Sequence, residues 1–138
     1  MADGKYSVKI GEQEIFLQRW SFFQREQGYG LFPDIQTAFA NQEQRRGRVL
    51  QFQLLGMTLG HQEVHQTERF IQQQAELLKD KSEQEAQQEV YKKFIEAIYL
   101  AEHDDYLRSI GVDPETLKKA EEDKKKTKNP KGTSDPAT

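Results

Sequence analysis

Residues 48–79 read RVLQFQLLGMTLGHQEVHQTERFIQQQAELLK, and the spacing of their inward positions decides the fold. Leu50, Leu54, Met57, His61, Val64, Glu68, Ile71, Ala75 and Leu78 fall alternately four and three apart. That spacing is the seam of a helix lying lengthwise on another helix. Thirty-odd residues at helical rise make a rod of roughly 45 to 50 Å, whose stripe must be covered by an antiparallel neighbour or a second chain.

The neighbour follows directly. Lys79-Asp80-Lys81 is a polar break, and Ser82-Glu83-Gln84-Glu85 reads as a capping box, the Ser82 hydroxyl and the Glu85 side chain each serving the other's backbone amide. The next helix presents Val90, Phe94, Ala97, Ile98 and Ala101 as its seam, and Gly111 stands where a left-handed C-cap belongs. So short a connection predicts an antiparallel pair within a helical hairpin over 34–110. A further helix is signalled by Asp113 as cap and Pro114 at its first position, with Val112 set to staple against Leu117. Residues 118–138 are charged and then rich in Thr, Asn, Pro and Gly, a composition expected to fray and remain disordered.

Upstream, Tyr6, Val8 and Ile10 alternate with polar residues, Gly11-Glu12 offers a tight turn, and Gln13 to Leu17 can return as a second strand. The expectation is a short hairpin or extended arm over 1–14 that runs into an aromatic helix from about Ile15. Gly28, Gly30 and Pro33 predict a loop that breaks this helix. Asp34 would cap the next one, with Ala38 and Phe39 as its thin apolar face. The fold class is therefore mainly all-α: a long antiparallel helical hairpin or bundle, a short N-terminal extended or β-hairpin arm, and a disordered charged C-terminal tail, with residues 1–117 as a single helical domain.

Composition narrows the functional classes. Of 138 residues 35% are hydrophobic and 31% charged, which suits elongated helices burying narrow stripes. Net charge is −3, so the overall field repels nucleic acid and anionic membrane. Cysteine is absent, which removes disulfides, thiolate metal sites and cysteine nucleophiles. No secretory signal pattern and no apolar run near the ~20 residues of a membrane span are present, so a cytoplasmic protein is expected.

Three groups of residues carry chemical possibilities. His61 and His65 lie four apart on one helical face, with Glu68 seven beyond His61, a spacing that suits a transition metal. Gln62 stands where a zinc peptidase needs its glutamate, and Thr58 and Gln62 stand where di-iron bundles need theirs. Folding the hairpin near residue 81 would bring Glu102 level with His61, so the best metal constellation is His61, Glu68 and Glu102 with His65 at the rim. His103-Asp104 points outward. The competing reading makes His61 a seam residue bonded to a glutamate, fixing helix register.

Arg45, Arg46 and Arg48 at a helix junction are candidate phosphate contacts, or partners for neighbouring acids. Gly56 and Gly60 make a smooth groove, filled either by Trp20 or Phe23 of the same chain or by another subunit. Trp20, Phe22, Phe23, Tyr29 and Phe32 form either an aromatic plug at one end of the hairpin or an exposed docking patch.

Together these features predict a non-enzymatic interaction or assembly protein, an adaptor or small assembly chaperone, that binds a protein partner or itself. It would need no cofactor, catalytic residue or membrane, and nucleic acid is an unfavoured partner. The order of terminal hairpin, helical body and charged tail is similar to that of small phage assembly chaperones, an analogy of element order alone. The alternatives are a metal-binding protein or metal-dependent enzyme centred on His61, His65 and Glu68, and a nucleic-acid-associated factor using Arg45, Arg46 and Arg48.

Overall fold

The alternation at the N-terminus does form a β-hairpin. In the computed structural model, which describes residues 5–120, β1 (Lys5–Ile10) pairs antiparallel with β2 (Gln13–Gln18), Ile10 facing Gln13 and Lys5 facing Gln18. Gly11 turns the chain with φ +60° while Glu12 keeps an ordinary negative φ, which is the type II′ pattern. An isolated two-stranded hairpin is marginal in water. This one is held by burying Val8 and Ile10 from one strand and Leu17 from the other. Glu14, Phe16 and Gln18 alternate onto the exposed face.

Five helices follow among the described residues: α1 (Phe22–Ala40), α2 (Gln44–Thr58), α3 (Val64–Ala75), α4 (Glu83–Ser109) and α5 (114–120). No helix among them is long and apolar enough to cross a membrane. The described residues fall into two compact units, divided between His103 and Asp104. Residues 1–4 and most of the tail expectation (121–138) lie outside the described residues.

In the first unit α4 is the post that the other elements touch. Phe94 meets Phe70 of α3 edge to face at 5.3 Å, and Tyr99 meets Phe32 of α1 at 5.0 Å. The Tyr91 hydroxyl donates to Gln51 Oε1 of α2 at 2.6 Å, and Lys93 Nζ donates to the Lys9 carbonyl of β1. Val90, Phe94 and Ile98 are buried together with Leu54, Ile71 and Ala75. The expected capping box at the start of α4 is present, with the Glu85 amide donating to Ser82 Oγ and the Ser82 amide to Glu85 Oε1.

Three expectations are corrected. The arm runs to Gln18 at the end of β2, so the aromatic helix starts at Phe22 and not near Ile15. The rod over 48–79 is broken in two, so no long helical hairpin spans 34–110. α2 stops because Gly60 adopts φ +78°, with the Gly60 amide bonded to the Met57 carbonyl and the His61 amide to the Gly56 carbonyl. That is the paired-bond C-terminal motif that a left-handed residue allows. The seam consequently fails where the rod is interrupted: Val64 is 59% exposed, and Glu68 is exposed. The closest-packed helices are α1 and α2, joined by the same motif with Gln42 at φ +63° in the left-handed position.

The Gly/Pro loop before residue 34 is also absent, since α1 continues through Gly28, Gly30 and Pro33. A proline inside a helix costs about 3 kcal/mol and each glycine up to about 1. Burying Phe32, Ile35 and Ala38 on one face of α1 offsets this, at about 1.5 to 3 kcal/mol for each of the two large side chains. Gly28 has a further reason, because a Cβ there would come within 2.2 Å of the Trp20 ring.

In the second unit α4 ends at Ser109. Gly111, at φ +85°, caps it as expected: its amide bonds to the Arg108 carbonyl, and the Val112 amide to the Leu107 carbonyl. Asp113 caps α5 as expected, accepting from the Glu115 amide and the Thr116 hydroxyl. Pro114 is buried, and Lys118 pairs with Asp104 at 3.4 Å.

The glycines make a direct test by urea unfolding. Gly30→Ala meets nothing within 4 Å and should stabilise by about 0.8 to 1 kcal/mol. Gly28→Ala should cost about 1 to 3 kcal/mol through overpacking against Trp20, and Gly60→Ala about 1 kcal/mol through its left-handed backbone. Equal effects at positions 28 and 30 would contradict this packing.

Candidate functional site

The chemistry-bearing side chains of the first unit gather around a buried carboxylate. Glu102 is 1% exposed, and its Oε2 accepts from the Arg19 Nε at 3.1 Å and from the Trp20 amide at 2.7 Å. A buried carboxylate must be paired, and here a guanidinium and a backbone donor from the β2–α1 junction do so. The Tyr6 hydroxyl is buried without a hydrogen-bond partner among the described residues. Burial, reinforced by the charge of Glu102, drives its pKa far above the ordinary tyrosine value, so it stays neutral.

Trp20 turns this anchor into a packing wedge. Its indole N–H donates to Thr58 Oγ1 at 2.8 Å, and the Thr58 hydroxyl donates to the Leu54 carbonyl, so both polar atoms are satisfied. The ring stacks on Phe32 at 5.6 Å and is tilted against Tyr29 at 6.3 Å. Phe32 in turn meets the His103 ring at 4.9 Å, so His103 packs against this cluster and does not point outward as expected. Trp20 and Phe32 are buried in this cluster.

Phe22 and Phe23 lie outside it. Ser21 starts α1 with a capping box in which the Gln24 amide donates to Ser21 Oγ and the Ser21 amide to Gln24 Oε1. Gln24 Nε2 also donates to the Met57 carbonyl at 2.9 Å, tying the first turn to α2. With the helix held in this phase, Phe22 and Phe23 are 72% and 68% exposed, and Phe16 on β2 is 65% exposed. The aromatic residues therefore divide into an internal set, Trp20 with Phe32 and Tyr29, and an exposed set. Phe23 borders an open groove of about 380 Å³, whose walls include Phe52, Met57, His61 and Val64.

The metal constellation is not assembled. His61 Nδ1 lies 2.9 Å from Thr67 Oγ1, with the ring edge to face with Phe70 at 6.0 Å. Burial lowers the His61 pKa below its ordinary value. Its register partner is thus a threonine rather than a glutamate. Exposed His65 lies 3.3 Å from Glu63, Glu68 lines a different cleft, and Glu102 is held by Arg19 and Trp20. Among the described residues no three His, Asp or Glu side chains are grouped to hold a metal ion. The interruption at Gly60 is the cause, because it takes His61 off the line shared with Glu68.

Gly56 and Gly60 both line the open groove that Phe23 borders. A Cβ at Gly56 would lie 2.7 Å from Thr67 Oγ1, whereas Gly60 has no neighbour within 4 Å. Thr67 of α3 packs closest against Gly56, and Phe23 borders the same groove. Arg45, Arg46 and Arg48 are all exposed in the first turns of α2, where Arg46 lies 3.9 Å from Glu43 and Arg48 lines the cleft shared with Glu68. Arg19 and Thr58 are functional in the packing sense but carry no periodic sequence signal. The Ser21–Gln24 box was the legible cue to where Phe22 and Phe23 point.

Comparison with protein-family models, curated proteins and solved structures gives no significant match to this chain.

Two measurements probe the anchor and the histidine. Glu102→Ala should cost about 2 to 3 kcal/mol of unfolding free energy, below the 3 to 5 typical of a broken buried pair because Arg19 is 31% exposed and can rehydrate. A loss under about 0.5 kcal/mol would show that the anchor is not structural. For His61 the folded pKa lies below its ordinary value of 6.5, so the folded state binds fewer protons there than the unfolded chain. Its contribution is full above pH 6.5 and is lost as pH falls from 6.5 through the folded pKa. Wild type should therefore lose more stability than His61→Gln across that window, and parallel curves would refute the assignment.

Proposed function

We propose that this chain is a non-enzymatic helical interaction protein, an adaptor or small assembly chaperone that meets a protein partner or a second copy through its exposed phenylalanines. The observation that supports this reading is the outward placement of Phe16, Phe22 and Phe23, three large aromatics within eight residues that are each about two-thirds exposed. Exposed apolar side chains grouped in this way are characteristic of interaction surfaces.

The energetics favour a protein surface as the occupant. Burying a fully exposed phenylalanine side chain contributes about 1.5 to 3 kcal/mol, so covering the exposed two-thirds of all three offers about 3 to 6. A micromolar complex needs about 8 kcal/mol net, and association costs several more in lost freedom. The aromatics therefore suffice as anchors of an interface but need added contacts around them. The groove beside Phe23 supplies apolar wall from Phe52, Met57 and Val64.

Photocrosslinking in the native cell tests this reading. p-Benzoylphenylalanine at positions 16, 22 and 23 should yield a discrete protein adduct that is missing when the crosslinker replaces Lys79, an exposed polar site. The mass of the purified chain by light scattering identifies self-association. A monomer whose three aromatic positions crosslink no better than position 79 would overturn the proposal.

A further inference from the structure

A second cleft of the first unit opens between α2, α3, α4 and the end of α1 and has a volume of about 580 Å³, within the 300 to 1,000 Å³ range common for small-ligand sites. Its apolar lining comes from Phe39, Phe52 and Ile71. Around these stand six glutamines, of which Gln44 and Gln51 come from α2, Gln72 from α3 and the rest from α4. Primary amides both donate and accept, so they orient a polar ligand without selecting its charge.

The charged side chains make that selection. Arg48 of α2 and Lys92 of α4 both line the cleft, and neither is in an ion pair among the described residues. Glu68 is the sole carboxylate in the lining, leaving one net positive charge in a chain of net charge −3. The positive charge of Arg48 acts within the cleft, since it eases the upward push that burial gives the Tyr91 hydroxyl, whose pKa stands at about 12. Tyr91 therefore stays protonated and donates to Gln51, which is also hydrogen-bonded to Tyr99. The polar wall is thus already ordered by contacts among its own side chains.

We propose that this cleft binds a small molecule carrying one carboxylate or phosphate group on an apolar body, with Arg48 and Lys92 holding the oxyanion and the Phe39, Phe52 and Ile71 surface taking the body. Bidentate donation from arginine and a point charge from lysine suit either head group. A nucleic-acid strand fits less well: it needs a row of cations along successive phosphates, and Glu68 repels any phosphate beyond the first.

The full-length chain, labelled with ¹⁵N, can be titrated with phenyl phosphate and with benzoate while the glutamine side-chain amides are followed by NMR. Saturable shifts at Gln51, Gln72 and Gln87 are expected with at least one of them, and the tighter probe names the head group. Inorganic phosphate, lacking the apolar body, should bind more weakly. Arg48→Gln and Lys92→Gln should each weaken binding about tenfold, the effect of one charge-assisted hydrogen bond. Glu68→Gln should tighten it, an outcome that a merely structural role does not produce. All three side chains are exposed, and circular dichroism verifies that the variants keep their helix content. The proposal is overturned if neither probe saturates, if benzylamine binds as well as benzoate, if the Arg48→Gln/Lys92→Gln double variant keeps full affinity, or if a ten-nucleotide oligothymidylate binds the cleft more tightly than both anions.

Discussion

The first unit depends on one buried charge being satisfied across the length of the chain. Glu102 sits near the end of α4's run in this unit, and both of its donors come from the junction that leaves β2. A carboxylate taken out of water without partners costs several kcal/mol, so the only comfortable arrangement is the one that brings Arg19 and the Trp20 amide to it. Such a pair adds little to stability over a well-packed apolar substitute. Its stronger effect is to exclude alternatives, because a slipped hairpin would leave the charge buried and alone. With that junction fixed, the Trp20 ring has one place to go, over Gly28 and against Phe32. The direction of α1 follows from the wedge.

Local chemistry was legible wherever neighbours in sequence are also neighbours in space. The alternation of Tyr6, Val8 and Ile10, the Ser82–Glu85 box, Gly111 as a C-cap and Asp113 before Pro114 are all closed within a few residues, and each appears in the structure. Leu54, Ile71 and Phe94 are buried as the periodicity requires. The errors came from glycine and proline. A glycine in sequence announces only a missing Cβ, and that absence serves two opposed ends. At Gly60 it permits a left-handed turn that ends a helix, while at Gly28 it makes room for an indole inside one. Which applies depends on the backbone at Gly60 and on where the Trp20 ring lands at Gly28, and neither is written in the glycine itself. Pro33 is tolerated for a related reason, since its cost is offset by the burial of Phe32 and Ile35 on either side.

The site was legible in part. Glu102 was read as pointing inward, which holds, but the metal role given to it relied on a continuous rod that would have carried His61 and Glu68 on one line. The partner it has instead, Arg19, lies 83 residues away and belongs to no repeat. Long-range ion pairs leave no period to detect. The aromatic cluster was visible as composition, yet its division into buried and exposed members depends on helix phase. Ser21 and Gln24 set that phase, and a reading that began from their capping pattern would have started α1 at Phe22 and turned the two phenylalanines outward.

Rigidity joins the anchor to the surface that it displays. An exposed aromatic on a flexible arm loses much of its binding energy in being ordered, whereas one on a fixed frame does not. Phe22 and Phe23 lie two and three residues after Trp20, whose amide is bonded to a buried carboxylate, and their helical turn is stitched to α2 through Gln24 and the Met57 carbonyl. Phe52 is common to the groove beside Phe23 and to the glutamine-lined cleft. The packing around that half-buried ring is therefore shared by the walls of both recesses.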